Sequence, residues 1–101
     1  MRLSIVLFTL LLQPEAARAA CQAGDLACLQ PAVASSFEDS NVCSCEAELA
    51  VDGLPGTRWG STLRSDPQWI YVNLGTPTTF DSVKLRWEAA YGKNYEVSGY
   101  P

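Results

Sequence analysis

An all-β fold is predicted by three observations. Gln68–Leu74 alternates, with Ile70, Val72 and Leu74 on one face and Trp69, Tyr71 and Asn73 on the other. Phe80–Glu88 alternates again, setting Val83, Leu85 and Trp87 inward against Lys84, Arg86 and Glu88 outward. A period of two belongs to strands. Ahead of both lies Ala50–Trp59, Ala-Val-Asp-Gly-Leu-Pro-Gly-Thr-Arg-Trp, where Gly53 and Gly56 permit backbone angles closed to other residues and Pro55 fixes its own, so the chain bends there. At 101 residues, 48% hydrophobic and 18% charged, the chain has room for one globular domain.

Residues 1–19 read as an export signal. Arg2 precedes an apolar run from Leu3 to Leu12, a polar break follows at Gln13-Pro14-Glu15, and small residues flank a cleavage point after Ala19 or Ala20. The run is about half the roughly 20 residues that cross a bilayer, which disfavours a retained anchor. Arg18 disfavours a lipoprotein signal at Cys21. Removing the leader leaves five basic and ten acidic residues, a net charge of −5. Such a chain has no basic stripe for nucleic acid, and it is poorly suited to anionic membrane lipid.

Cys21, Cys28, Cys43 and Cys45 are expected to be oxidised after export. A bridge across the single residue Ser44 strains the preferred Cα separation of about 4.4 to 6.8 Å, which disfavours Cys43 with Cys45 and, with it, Cys21 with Cys28. The expectation is a double staple joining Cys21 and Cys28 to Cys43 and Cys45, in either order, within a stapled segment 20–45. Zinc is disfavoured by the spacing and by the lack of histidine.

Along the rest of the chain, Ala20–Gln30 can form a short helical turn stopped by Pro31. Phe37–Ser44 is a polar loop. Trp59 closes the bent loop as a core residue. Gly60–Gln68 is a loop carrying Arg64, Gly75-Thr76-Pro77 a turn, Ala89–Asn94 a loop with Tyr91, and Tyr95–Val97 the start of another strand. In the bent loop, carbonyl oxygens turned to one point, with Asp52 and Thr57, make an all-oxygen set suited to calcium rather than zinc or copper. The alternative is a packed turn capped by Asp52.

Three segments resemble a known family in its order and spacing: A-x-D-G-x-x-x-T-x-W at Ala50–Trp59, P-Q-W-I-x-V-x-L-G at Pro67–Gly75, and V-x-L-x-W-E at Val83–Glu88 with Tyr91 beyond. Together they resemble the discoidin or coagulation factor V/VIII type C domain, whose fold is shared by family 32 carbohydrate-binding modules. The resemblance runs from about Pro31 to Val97 and implies a jelly-roll β-sandwich at 31–101, with a first strand at Ala32–Ser36 and a short helical or turn segment at Glu46–Val51, that is incomplete, as a fragment or with its sheet finished by another chain. It also implies calcium held by the Asp52 side chain, by the Thr57 hydroxyl and carbonyl, and by the carbonyls of Leu49 and Leu54. The family's further acidic ligand near the module's end has no counterpart here.

With no histidine, a Ser-His or Cys-His catalytic pair is impossible, and Asp52 with Glu88 forms no recognisable hydrolase pair. The sequence therefore reads as a secreted, non-catalytic module binding extracellular glycans or glycoproteins. Arg86, Glu88 and Tyr91 are candidate ligand-binding residues, since sugars take planar polar groups for their hydroxyls and an aromatic face for the ring, and the resemblance to family 32 modules, whose loops help form the sugar site, adds Arg64 as a candidate. The alternatives are a protein-adhesion module of the same fold, or an accessory piece of a secreted carbohydrate-active enzyme.

Overall fold

The computed structural model describes residues 2–8 and 21–99, and the expected cleavage point at Ala19 or Ala20 lies outside them. The fold is all-β. Its strands are β1 (Arg2–Phe8), β2 (Ala32–Ala34), β3 (Glu38–Asp39), β4 (Ser44–Cys45), β5 (Trp59–Gly60), β6 (Ile70–Val72) and β7 (Ser82–Trp87). The helical content among the described residues is one 3-10 turn at Ala47–Ala50, and no helix there is long and apolar enough to cross a membrane.

Every pairing among the described strands is antiparallel. One sheet runs β5-β1-β7, with β1 in the middle, from Leu3 opposite Trp87 to Phe8 opposite Ser82 on one side and with Leu3 opposite Trp59 on the other. A second sheet pairs β2 with β6, placing Val33 opposite Tyr71, and a third pairs β3 with β4. The alternation read from the sequence sets the faces: Val83, Leu85 and Trp87 pack on the core while Lys84 and Arg86 are exposed. From the second sheet Ile70, Val72 and Leu74 pack on the same core, leaving Trp69 and Tyr71 exposed and stacked 5.8 Å apart. Two apolar sheet faces thus share one interior, with Ala47, Ala50 and Val51 of the 3-10 turn filling its end.

Trp59 is at the centre of that interior, 0% exposed. Its indole Nε1–H donates to the Ser36 carbonyl at 2.8 Å, so burial leaves the ring's polar atom paired. The Ser36 hydroxyl donates to Gln68 Oε1 at 2.7 Å and accepts from the Thr62 amide at 3.0 Å. Ser35 accepts from the Trp69 amide through its hydroxyl at 3.0 Å. These bonds tie the segment after β2 to β5 and to the loop that follows it.

Several expectations need correction. Cys21 is bonded to Cys28 and Cys43 to Cys45, so the cysteines close two local loops and there is no double staple between segments. The reason is local: Ser44 lies in β4, and an extended residue holds the Cys43 and Cys45 Cα atoms 5.3 Å apart with both side chains on one face. Of the helical turn expected at Ala20–Gln30, Ala20 lies outside the described residues, and residues 21–30 form turns and no helix, because buried Asp25 accepts from the Ala27 amide at 3.1 Å and Leu29 sits at φ 62°, both breaking the helical path. The polar loop at 37–44 contains a hairpin. There the Ser40 amide donates to the Cys43 carbonyl at 2.8 Å, and the Ser40 hydroxyl accepts from the amides of Val42 and Cys43. No strand forms at Tyr95–Val97. Tyr95 instead packs on Trp87 with ring centroids 5.3 Å apart, which folds the segment onto β7 side chains rather than along a strand edge.

Two outcomes follow from this architecture. Trp59→Ala is expected to lower stability by about 3–5 kcal/mol, while Trp59→Phe, which keeps a ring and loses the donor, should cost only about 1–2 kcal/mol; urea unfolding curves measure both. Cleavage after Glu38 under denaturing, non-reducing conditions should release the Cys21–Cys28 and Cys43–Cys45 loops as separate masses. A mass joining the two loops would contradict the pairing.

Candidate functional site

The bent loop is positioned from both ends. On its N-terminal side the 3-10 turn buries Ala47 and Ala50, and the Val51 amide donates to the Glu48 carbonyl at 3.1 Å as the turn ends. On its C-terminal side Trp59 is locked in the core. Between them Gly53 adopts φ 78°, the left-handed conformation that favours glycine. Gly56 does not use that freedom: it is absent from the positive-φ residues, and the second bend rests on Pro55 instead.

Inside the loop, oxygen atoms gather around the Asp52 carboxylate. Its Oδ1 accepts from the Leu54 amide at 2.9 Å and its Oδ2 from the Thr57 hydroxyl at 2.5 Å. The same hydroxyl lies 3.1 Å from the Leu54 carbonyl, which also accepts from the Thr57 amide at 3.3 Å. The Thr57 carbonyl accepts from the Ser4 hydroxyl of β1 at 3.2 Å. Asp52, Leu54 and Thr57 are therefore brought together. Leu49 lies in the 3-10 turn just before them, half-buried. The donor set is all oxygen with one formal charge, which fits a hard cation in kind. Among the described residues no three Asp, Glu, Cys or His side chains cluster, so main-chain carbonyls would have to complete any such ligand set.

Arg86 stands beside this loop. With Asp25, Asp52, Gly53, Leu54 and Ser4 it lines a cavity of about 40 Å³. That is room for a water molecule or two and far below the roughly 300 Å³ at which small-molecule pockets begin. Arg64, Glu88 and Tyr91 do not line it. Arg64 is exposed in the 60–68 loop at φ 56°, and Tyr91 is exposed beyond β7. Glu88 is half-buried and forms an ion pair with Arg58. Sequence reasoning passed over Arg58, whose signal was its place between Thr57 and Trp59. Its pairing with Glu88 fastens the loop to the end of β7, and so sets Arg86 two residues away from that anchor.

No curated protein and no solved structure matches the chain significantly. A family match does, over residues 49–101, slightly more than half of the chain. The matched span takes in the end of the 3-10 turn, the bent loop, β5, β6 and β7, and leaves out both cysteine loops and the β3–β4 hairpin. Its three segments are those that carried the resemblance to the discoidin or coagulation factor V/VIII type C domain, and the protein belongs to the family described as NedA-like, galactose-binding domain.

Proposed function

We propose that this protein is a secreted, non-catalytic carbohydrate-binding module that reads galactose-like residues on extracellular glycans or glycoproteins. The observation that carries the reading is membership of a galactose-binding domain family over the span that builds the loop and β7. The geometry supports it in one respect. Arg86 presents a guanidinium at an exposed strand position beside a loop rich in fixed carbonyls, a pairing of donors and acceptors suited to sugar hydroxyls. Tyr91 supplies an exposed aromatic ring in the adjoining loop, and Arg64 a second exposed guanidinium. Glu88 acts through its pair with Arg58 to hold the loop against β7.

Export rests on the leader-like residues 1–19 and agrees with cysteines that are all disulfide-bonded among the described residues. Calcium is the proposed structural ion, held by Asp52, Thr57 and the carbonyls of Leu54 and Leu49. Bound there, it would neutralise the carboxylate and lock the loop's oxygens in place. It would play no chemical part in a binding module.

Titration of the exported protein with galactose and methyl galactosides, followed by calorimetry, tests the binding reading. Binding should weaken about tenfold or more in Arg86→Ala, as expected when a charged hydrogen-bond donor is lost. Binding to a glycoprotein that no simple saccharide competes away would favour the protein-adhesion alternative. Calcium should raise the thermal midpoint of the wild-type protein by mass action and leave that of Asp52→Asn unmoved. An equal rise in both would remove calcium from the loop.

A further inference from the structure

Strand β1 occupies an interior position. Among the described strands it is the sole neighbour of both β5 and β7, and the β5-β1-β7 sheet has no direct pairing between its outer members. Leu3 is 5% exposed within the core, Ile5 packs against that core, and Ser4 between them reaches the Thr57 carbonyl on the other side. Yet residues 2–8 lie within the segment that reads as an export leader. If that segment is removed, an interior strand goes with it. Two facing rows of backbone N–H and C=O groups on β5 and β7 then lose their partners, and Trp59 loses the strand paired beside it.

We propose that the seat of β1, between β5 and β7, is a strand-acceptor site, which after leader removal takes an extended segment of a partner polypeptide. This rests on the secretion reading given above. The seat states the chemistry of its occupant: antiparallel to both neighbours, apolar at the two positions held by Leu3 and Ile5, and small with a hydroxyl between them at the position of Ser4. Strand addition of this kind draws affinity from the main-chain ladder and selectivity from alternate side chains. A processed second copy is a poor donor, because its own alternating segments, Ile70–Val72 and Ser82–Trp87, are already committed to β6 and β7. Occupation also bears on the bent loop, since the Ser4 hydroxyl bonds a carbonyl of the oxygen cluster and both Ser4 and Ile5 line the cavity beside Arg86. A partner strand would thus shape the same loop that the proposed ligand contacts.

The test starts from the full chain expressed through a secretory host and purified as exported. Intact mass first reports whether residues 1–19 are gone. The product is then titrated with a synthetic peptide of residues 2–8 carrying a solubilising lysine tail, and with the same peptide bearing Leu3→Asp and Ile5→Asp. Tryptophan fluorescence and the thermal midpoint are the readouts. The proposal expects saturable one-to-one binding of the first peptide with a raised midpoint, and binding of the second weaker by at least about tenfold, because two carboxylates would have to enter the core. Equal binding of the two peptides, or no binding of either, overturns the proposal and leaves the secretion reading standing. A mass that retains residues 2–8 overturns both, since the seat is then never vacated.

Discussion

The burial of Trp59 is the constraint on which the rest depends. An indole fully removed from solvent contributes the largest single side chain in a small core, and its Nε1–H can be buried only because the Ser36 carbonyl accepts it at 2.8 Å. That one bond joins the end of β2 to β5. From it radiate the Ser36 contacts to Gln68 and Thr62, so the loop after β5 is set by the same residue pair. A short chain has little apolar surface with which to define a fold, and here the definition is concentrated at one ring.

Fixing Trp59 also fixes the functional loop. The loop leaves a buried 3-10 turn and arrives at a buried indole, so its six residues from Asp52 to Thr57 are held at both ends while their tips are exposed. Within it the single carboxylate is occupied by neighbouring amide and hydroxyl donors, which keeps the oxygens within hydrogen-bonding distance of one another before any ligand arrives. The Arg58–Glu88 ion pair is half-exposed and therefore contributes little to stability. Its value is positional: it docks the loop on the end of β7 and makes Arg86 a neighbour of Asp52. Exposed Trp69 and Tyr71, stacked on the outer face of β6, take no part in this site.

Much of this was legible in the sequence because period and turn chemistry act locally. The alternation at Val83, Leu85 and Trp87, the bend at Gly53 and Pro55, and the closing role of Trp59 are each written in a few adjacent residues. What failed depended on context. The rule against a bridge across one residue overlooked that Ser44 is extended, and the elimination of Cys21 with Cys28 fell with it. The β3–β4 hairpin has strands of two residues each, too short for any period to register, and its signal was Ser40 at the turn. Tyr95 had the composition of a strand residue and was claimed by Trp87 instead. One strand escaped notice without any reading being overturned: Leu3 and Ile5 alternate around Ser4 inside the segment that reads as an export leader. Their strand role emerges only from the neighbours β5 and β7, far along the chain. Arg58 was hidden for a similar reason, its partner Glu88 being 30 residues away.

The most direct measurement of the central claim is hydrogen exchange of the Trp59 indole Nε1–H by nuclear magnetic resonance, on the disulfide-intact protein. If Trp59 anchors the loop and the core together, that proton exchanges only through global unfolding, at the rate of the slowest backbone amides. Exchange as fast as that of the exposed Trp69 indole would contradict the account, because the loop would then open without the fold.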